Sequence, residues 1–331
     1  MAFVWSLAFL GIQFVVVLFI AMAITMGFVL TKGSAGLRAG QEALKEPVAM
    51  LILGTVSVLA AVLVITGLAL RGRFRRALAI RLPTLTHVVL VCLLAPPLYL
   101  LVLQVAVLAM QVMPEIGLLE ELEETVTSAP YDIVLLAGAV IPGVSEEIFC
   151  RGFLGRGLVA RWGVVPGILL TSLFFGLIHV EPVQICYAAF IGVVLHVVFL
   201  TSKSLLAPML LHALNNAIAF SPTALGETLP QLSQVMNRWE ENGALPPAVL
   251  ISTVFAVVTL LVLFWQTQVR WFRSDGEAWD PGYVTAEIPP KQVQPQARSS
   301  SPKLWAFLLA AAAYLGFVVV MLHQFDLLPG L

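Results

Sequence analysis

The sequence predicts an all-α, polytopic bundle of transmembrane helices, and three observations carry that reading. Of the 331 residues 60% are hydrophobic and only 11% charged, whereas an ordinary soluble domain has roughly 45–50% and about 25%. So large an apolar excess cannot be hidden inside one water-soluble globule. The apolar residues fall in long runs, and about 20 such residues are what a helix needs to cross ~30 Å of hydrocarbon while satisfying its own backbone. The basic residues are sorted between alternate connections, as the positive-inside rule requires of a multi-pass chain. Eighteen Lys and Arg against nineteen Asp and Glu leave no basic field for nucleic acid, and the composition is neither disordered nor collagen-like.

In chain order the runs are 3–31, 47–70, 87–113, 133–158, 163–180, 183–200, 204–220, 247–268 and 304–323. That makes about nine spans, with eight to ten as the range because the fifth to seventh are short and closely spaced. The first lacks a basic residue ahead of it and exceeds a signal-peptide core, so it is expected to stay as a membrane anchor. Pro96-Pro97 should kink or break the third. Gly163 and Gly167 form a GxxxG pair, a weak sign of close helix contact. Residues 274–303 are polar and rich in Pro and Ser, and read as a flexible cytoplasmic linker. Cys92, Cys150 and Cys186 are scattered through apolar runs, without the spacing of a disulfide framework or metal site, and are expected to pack as small hydrophobes.

With the N-terminus cytoplasmic, fourteen of the eighteen Lys and Arg lie in the cytoplasmic connections, among them Arg71, Arg73, Arg75, Arg76, Arg156, Arg161 and Lys203. The outer connections keep Lys32, Arg38, Lys45 and Arg238, and the outer stretch 114–132 is acidic throughout. The connection 32–46, with three positive residues on the outer side, is the discordant one. The cluster 71–76 reads as a topology signal in contact with headgroups, and 115–124 as a solvated outer face that could also gate access.

Ionisable groups inside the spans cost several kcal/mol each unless they are paired or functional. Run four holds Ser145-Glu146-Glu147-Ile148-Phe149-Cys150-Arg151, run five ends at Phe175-Gly176-Leu177-Ile178-His179, and run seven contains His212-Ala213-Leu214-Asn215-Asn216. Glu147 and Arg151 share a helical face and can pair. Glu146, turned ~100° away, is free to face another group, while His212 and Asn216 present two side chains to one spot and Asn215 faces elsewhere. His196 reads as a core histidine, and His87 and His323 as interfacial residues at helix ends. A carboxylate, an imidazole and a His/Asn pair from three helices supply a general base, a water orienter and two donors for an oxyanion. Counted along straight helices, Glu146 lies ~20 Å, His179 ~24 Å and His212 ~12 Å from the cytoplasmic edge, so tilt must absorb ~10 Å for them to meet.

EEIFCR fits EExxxR, FGLIH fits FxxxH and HALNN fits HxxxN, in that order on three successive runs. In these motifs, and in the stretch from Gly192 to Ile218, the chain resembles the CAAX-protease and bacteriocin-processing (CPBP) family of intramembrane endopeptidases, which includes the type II CAAX prenyl endopeptidases. The resemblance covers about 130–220 and leaves 1–129 and 221–331 uncovered. It thus divides the chain into N-terminal helices, a catalytic helical core and C-terminal helices with the linker. It implies that Glu146 activates water with help from His179, and that His212 and Asn216 form the oxyanion hole. Glu147, Arg151 and Phe175 are implied as supporting residues.

No cofactor is favoured. Zinc is the alternative, with Glu146, His179 and His212 as its three ligands. The implied partners are the bilayer and a membrane-embedded or lipidated polypeptide, whether a prenylated CAAX tail, a bacteriocin-like leader or a regulatory membrane protein. The implied setting is a prokaryotic inner membrane. The competing class is a non-enzymatic membrane protein: a proton-coupled transporter using Glu146 and the histidines as a relay, or a scaffold. The lack of an internal repeat speaks against the transporter. A buried glutamate acting as base should lose activity at acid pH as it takes a proton.

Overall fold

The computed structural model describes residues 2–70, 78–114, 116–226, 228, 230–273, 275, 293–294, 302–325 and 327. Among the described residues twelve helices follow one another: α1 (Ala2–Lys32), α2 (Gly36–Lys45), α3 (Pro47–Leu70), α4 (Leu85–Met110), α5 (Leu118–Ser128), α6 (Tyr131–Trp162), α7 (Val164–Leu177), α8 (Pro182–Ser202), α9 (Leu206–Ala224), α10 (Pro230–Glu241), α11 (Pro247–Gln266) and α12 (Leu304–Gln324). Among the described residues, seven helical segments are long and apolar enough to cross a membrane. The 14-residue α7 and the 19-residue α9, which carries polar site residues, bring the bundle to about nine spans. The only strand pairing among the described residues is a two-residue antiparallel ladder between Phe272–Arg273 and Val293–Gln294. Most of the expected linker 274–303, and the basic cluster 71–76, lie outside the described residues.

The discordant connection 32–46 is mostly helix. After a turn at Gly33 (φ 63°), α2 folds back along α1, and a Cβ on Gly40 would stand 2.8 Å from the Cα of Thr25. Only glycine admits so close an approach. At 31 residues α1 is ~46 Å long, more than the hydrocarbon thickness, which leaves length outside the core for α2 to pack against.

The helix α4 runs through the middle of the core, with Leu94 and Leu98 sealed from solvent. Thr84 caps its N-terminus, accepting from the His87 amide at 3.3 Å while its hydroxyl meets His87 Nδ1 at 2.7 Å. His87 is fully buried and stacks on Phe264 with ring centroids 5.7 Å apart, which corrects its expected interfacial place: the cap draws the ring inward. The helix is not broken at Pro96-Pro97. Of the cysteines, Cys150 is buried, Cys186 half-buried and Cys92 exposed, so the packed reading fails for Cys92, which sits on the outer surface of the bundle. His196 is buried with its ring 6.3 Å from that of Phe199, and His323 is exposed at the end of α12.

The helix α6 is not uniform. Its residues Val134–Val140 and Ile148–Leu154 are π-helical and bracket one α-helical stretch, Ile141–Glu147. Widened turns of this kind lose regular packing and recur at functional sites. Here they flank the two adjacent glutamates.

Candidate active site

Three close helix approaches set the site. A Cβ on Gly143 of α6 would lie 2.9 Å from the backbone N of Ala213 in α9, and one on Gly176 of α7 would lie 2.5 Å from the carbonyl oxygen of Ile185 in α8. Gly167 packs against Val159 across the turn at Gly163 (φ 86°), where its Cβ would fall 2.6 Å from the Val159 Cα. Small residues allow such contact where lipid offers no hydrophobic drive between helices. The first contact answers the depth mismatch of His212: Gly143 stands three residues before Glu146 and Ala213 directly follows His212, so the two helices meet at the level of the site. Glu146 lies thirteen residues before Val159 and His179 twelve after Gly167, so the hairpin register brings both to one level. His179 itself stands past the end of α7, in the turn that leads to Val180 (φ 68°) and α8.

The side chains converge as their spacing suggests. Glu146 Oε2 is 3.7 Å from His179 Nε2 and 3.8 Å from His212 Nε2. Their side chains are 12%, 16% and 5% exposed, so the cluster is shielded but open to solvent on one side. His179 Nδ1 lies 2.8 Å from the carbonyl oxygen of Phe175, one of the carbonyls that the end of α7 leaves without a helical partner. A ring nitrogen facing a carbonyl must carry the proton, so Nδ1 donates and Nε2 is the nitrogen turned toward Glu146.

Glu147 is fully buried and does more than pair with Arg151. Its Oε1 accepts from Arg151 Nη1 at 2.5 Å and from His212 Nδ1 at 3.1 Å, so one carboxylate holds both cations or donors. Arg151, also fully buried, donates through Nη2 to the Gly192 carbonyl at 2.8 Å. The four-residue spacing still serves across the α-to-π junction, because an α turn overshoots and a π turn undershoots four residues by similar angles.

Phe175 is the least anticipated part. Its buried ring meets His179 edge-on at 5.1 Å and His212 edge-on at 5.6 Å, and carries the Arg151 guanidinium 4.7 Å above its centroid. One aromatic side chain thus supports three polar ones.

Glu146, His179, His212, Asn216 and Phe175 line a cavity of about 760 Å³ that extends between α3, α4, α8 and α9 to α5 and α10. Asn215 lines it too, buried, with an Oδ1 that has no hydrogen-bond partner among the described residues. The helical spacing predicts that Asn215 faces elsewhere than His212 and Asn216, and the structure instead places both asparagines on the cavity lining. Glu181, which sequence reasoning passed over, is fully buried with neither oxygen hydrogen-bonded among the described residues. Its only sequence signal, a residue just before Pro182 at the start of a helix, suggests a cap and no chemistry. The three residues named as zinc ligands do approach one another. Among the described residues, however, no group of three His, Cys, Asp or Glu side chains stands where it could hold a metal ion.

Comparison with known proteins bears on the same helices. No curated protein and no solved structure matches the chain. Residues 130–218 match the family model described as Rce1-like, type II CAAX prenyl endopeptidase Rce1-like. The match begins just before α6 and ends within α9, taking in Glu146, Glu147, Arg151, Phe175, His179, His212 and Asn216. Over this segment, about a quarter of its length, the chain is similar to the Rce1-like, type II CAAX prenyl endopeptidase family.

Proposed function

We propose that the chain is an intramembrane endopeptidase that hydrolyses a peptide bond in a membrane-associated polypeptide by a glutamate-activated water. The observation that carries this reading is the meeting of Glu146 Oε2 with two imidazole Nε2 atoms, at 3.7 and 3.8 Å, beside a cavity wide enough for a polypeptide segment. A water between Glu146 and His179 gives one hydrogen to each of two acceptors, which leaves its lone pairs directed outward at a substrate carbonyl.

The other histidine is held through Nδ1, which lies 3.1 Å from Glu147 Oε1, and this leaves its Nε2 as the ring nitrogen beside Glu146. As water attacks, its proton passes to Glu146, and the carbonyl oxygen gains charge facing His212 Nε2 and the Asn216 amide. Collapse of the tetrahedral species breaks the C–N bond, and Glu146 returns the proton to the departing amine. No step in this sequence uses a metal.

Replacing Glu146 by Gln keeps the shape and removes the base. Membrane proteomes with the wild-type and the Glu146→Gln proteins should differ by peptides cut only in the former. Hydrolysis near the wild-type rate in the variant would refute the assignment. Proton-dependent solute flux in proteoliposomes without cleavage of any membrane peptide would instead identify a transporter.

A further inference from the structure

The cavity lies toward one end of the bundle. Its walls are the first half of α3, the last half of α4, the first half of α8 and the part of α9 beyond His212, and α5 and α10 border it at that end. The connections at this end hold only four of the eighteen Lys and Arg; the other fourteen belong to the opposite end or to α6 on the way there. The cavity therefore opens away from the basic, cytoplasm-facing side.

Apart from the two histidines, the charged side chains of the lining are carboxylates. Glu121 and Glu123 of α5 line the same cavity as Glu146, and no lysine or arginine lines it among the described residues. The helix α5 turns Thr125 and Val126 inward and leaves Glu120, Glu121, Glu123 and Glu124 exposed. A second and independent feature asks for a donor: the buried Oδ1 of Asn215, on the same lining, has no hydrogen-bond partner among the described residues. Acceptors and negative charge in a cleft with apolar walls focus the field on a cationic, N–H-bearing ligand and repel an acidic one.

We infer that the site receives an extended polypeptide from the non-cytoplasmic face, with Lys or Arg residues flanking the bound segment seated on Glu121 and Glu123 and a backbone N–H donated to Asn215. The inference deepens the endopeptidase reading and rests on it for the fate of the bound segment. The binding itself is measurable without turnover.

Two measurements on the full chain test it. In a variant with Cys92, Cys150 and Cys186 replaced by Ala, single cysteines are introduced as Glu124→Cys on α5 or Arg161→Cys at the α6–α7 turn. A membrane-impermeant maleimide applied to intact cells should label the first and reach the second only after permeabilisation. The reverse pattern overturns the direction of access. For selectivity, the Glu146→Gln protein in zwitterionic nanodiscs is titrated with a fluorescent apolar peptide carrying three Lys at one end, or with its three-Glu counterpart. The Lys peptide should bind about tenfold more tightly at low salt, and Glu121→Lys/Glu123→Lys should abolish or invert the preference. Equal binding, or a preference that survives the charge reversal, overturns the inference. Absence of cleavage by the wild type with the Lys preference intact removes the hydrolase reading and leaves this one standing; cleavage without the preference does the opposite.

Discussion

Replacing Arg151 by Met tests the buried ion pair that underlies the site. Both Arg151 and Glu147 are fully buried, and the guanidinium also spans to the Gly192 carbonyl and the Phe175 ring. The substitution fits a similar volume but strands the Glu147 carboxylate, whose Oε2 already has no hydrogen-bond partner among the described residues, with only the His212 N–H beside it. Removing one partner of such a pair costs about 3–5 kcal/mol, whereas replacing both by apolar residues is often close to neutral. Arg151→Met should therefore destabilise the protein by that amount. Glu147→Leu should do likewise, and the double variant by clearly less than the sum, with a coupling of about 2–3 kcal/mol. Reversible unfolding of the full chain in detergent, followed for the four proteins of the cycle, measures it. A cost below about 1 kcal/mol for Arg151→Met, or additive single effects, would refute the reasoning, because the pair would then be solvated or independent.

Glu147→Gln keeps an acceptor for His212 Nδ1 but removes the charge paired with Arg151. It should lower kcat/KM by about tenfold or more as the His212 ring loses its anchor. A variant with wild-type kcat/KM would free His212 from its assigned role. Gly143→Ala places a methyl 2.9 Å from the Ala213 backbone, where nothing flexible can give way. Pushing α6 from α9 should cost about 1–3 kcal/mol in stability and lower kcat/KM by at least about tenfold as His212 withdraws from Glu146. A crystal or cryo-EM structure with the Glu146–His212 distance retained would contradict the predicted cause. Hydrolysis should persist after exhaustive chelation, with no stoichiometric metal found by elemental analysis; activity lost to chelator and restored by zinc would return the alternative ligand set of Glu146, His179 and His212.

Much of the architecture was legible because the bilayer imposes it. About 20 apolar residues per crossing and the sorting of Lys and Arg are one-dimensional constraints, so span number and the alternation of ends can be read without any contact. The pairing of Glu147 with Arg151 was legible for a similar reason, since it depends on a local four-residue spacing. What lay outside such counting was register between helices. Straight-helix depths set His212 about 10 Å from the level of Glu146 and His179, and only the contact of Gly143 with Ala213 shows why it stands beside Glu146. The turn that ends α7 before His179 was equally invisible, yet it gives the imidazole a carbonyl to fix its proton.

Sequence by itself determined that this is a bundle of apolar helices long enough to cross a membrane, and that Glu146 lies in one of those apolar runs, turned away from the Glu147–Arg151 pair. These follow from composition and local periodicity, which the solvent reads directly. Tertiary structure alone decided that Glu147 serves His212 as well as Arg151, that Phe175 supports both histidines and the guanidinium, and that the cavity runs from the glutamate and histidines to the acidic α5. Each of these joins residues far apart in the chain, and such a meeting is set by helix packing at glycine contacts, which leaves no periodic trace in the sequence.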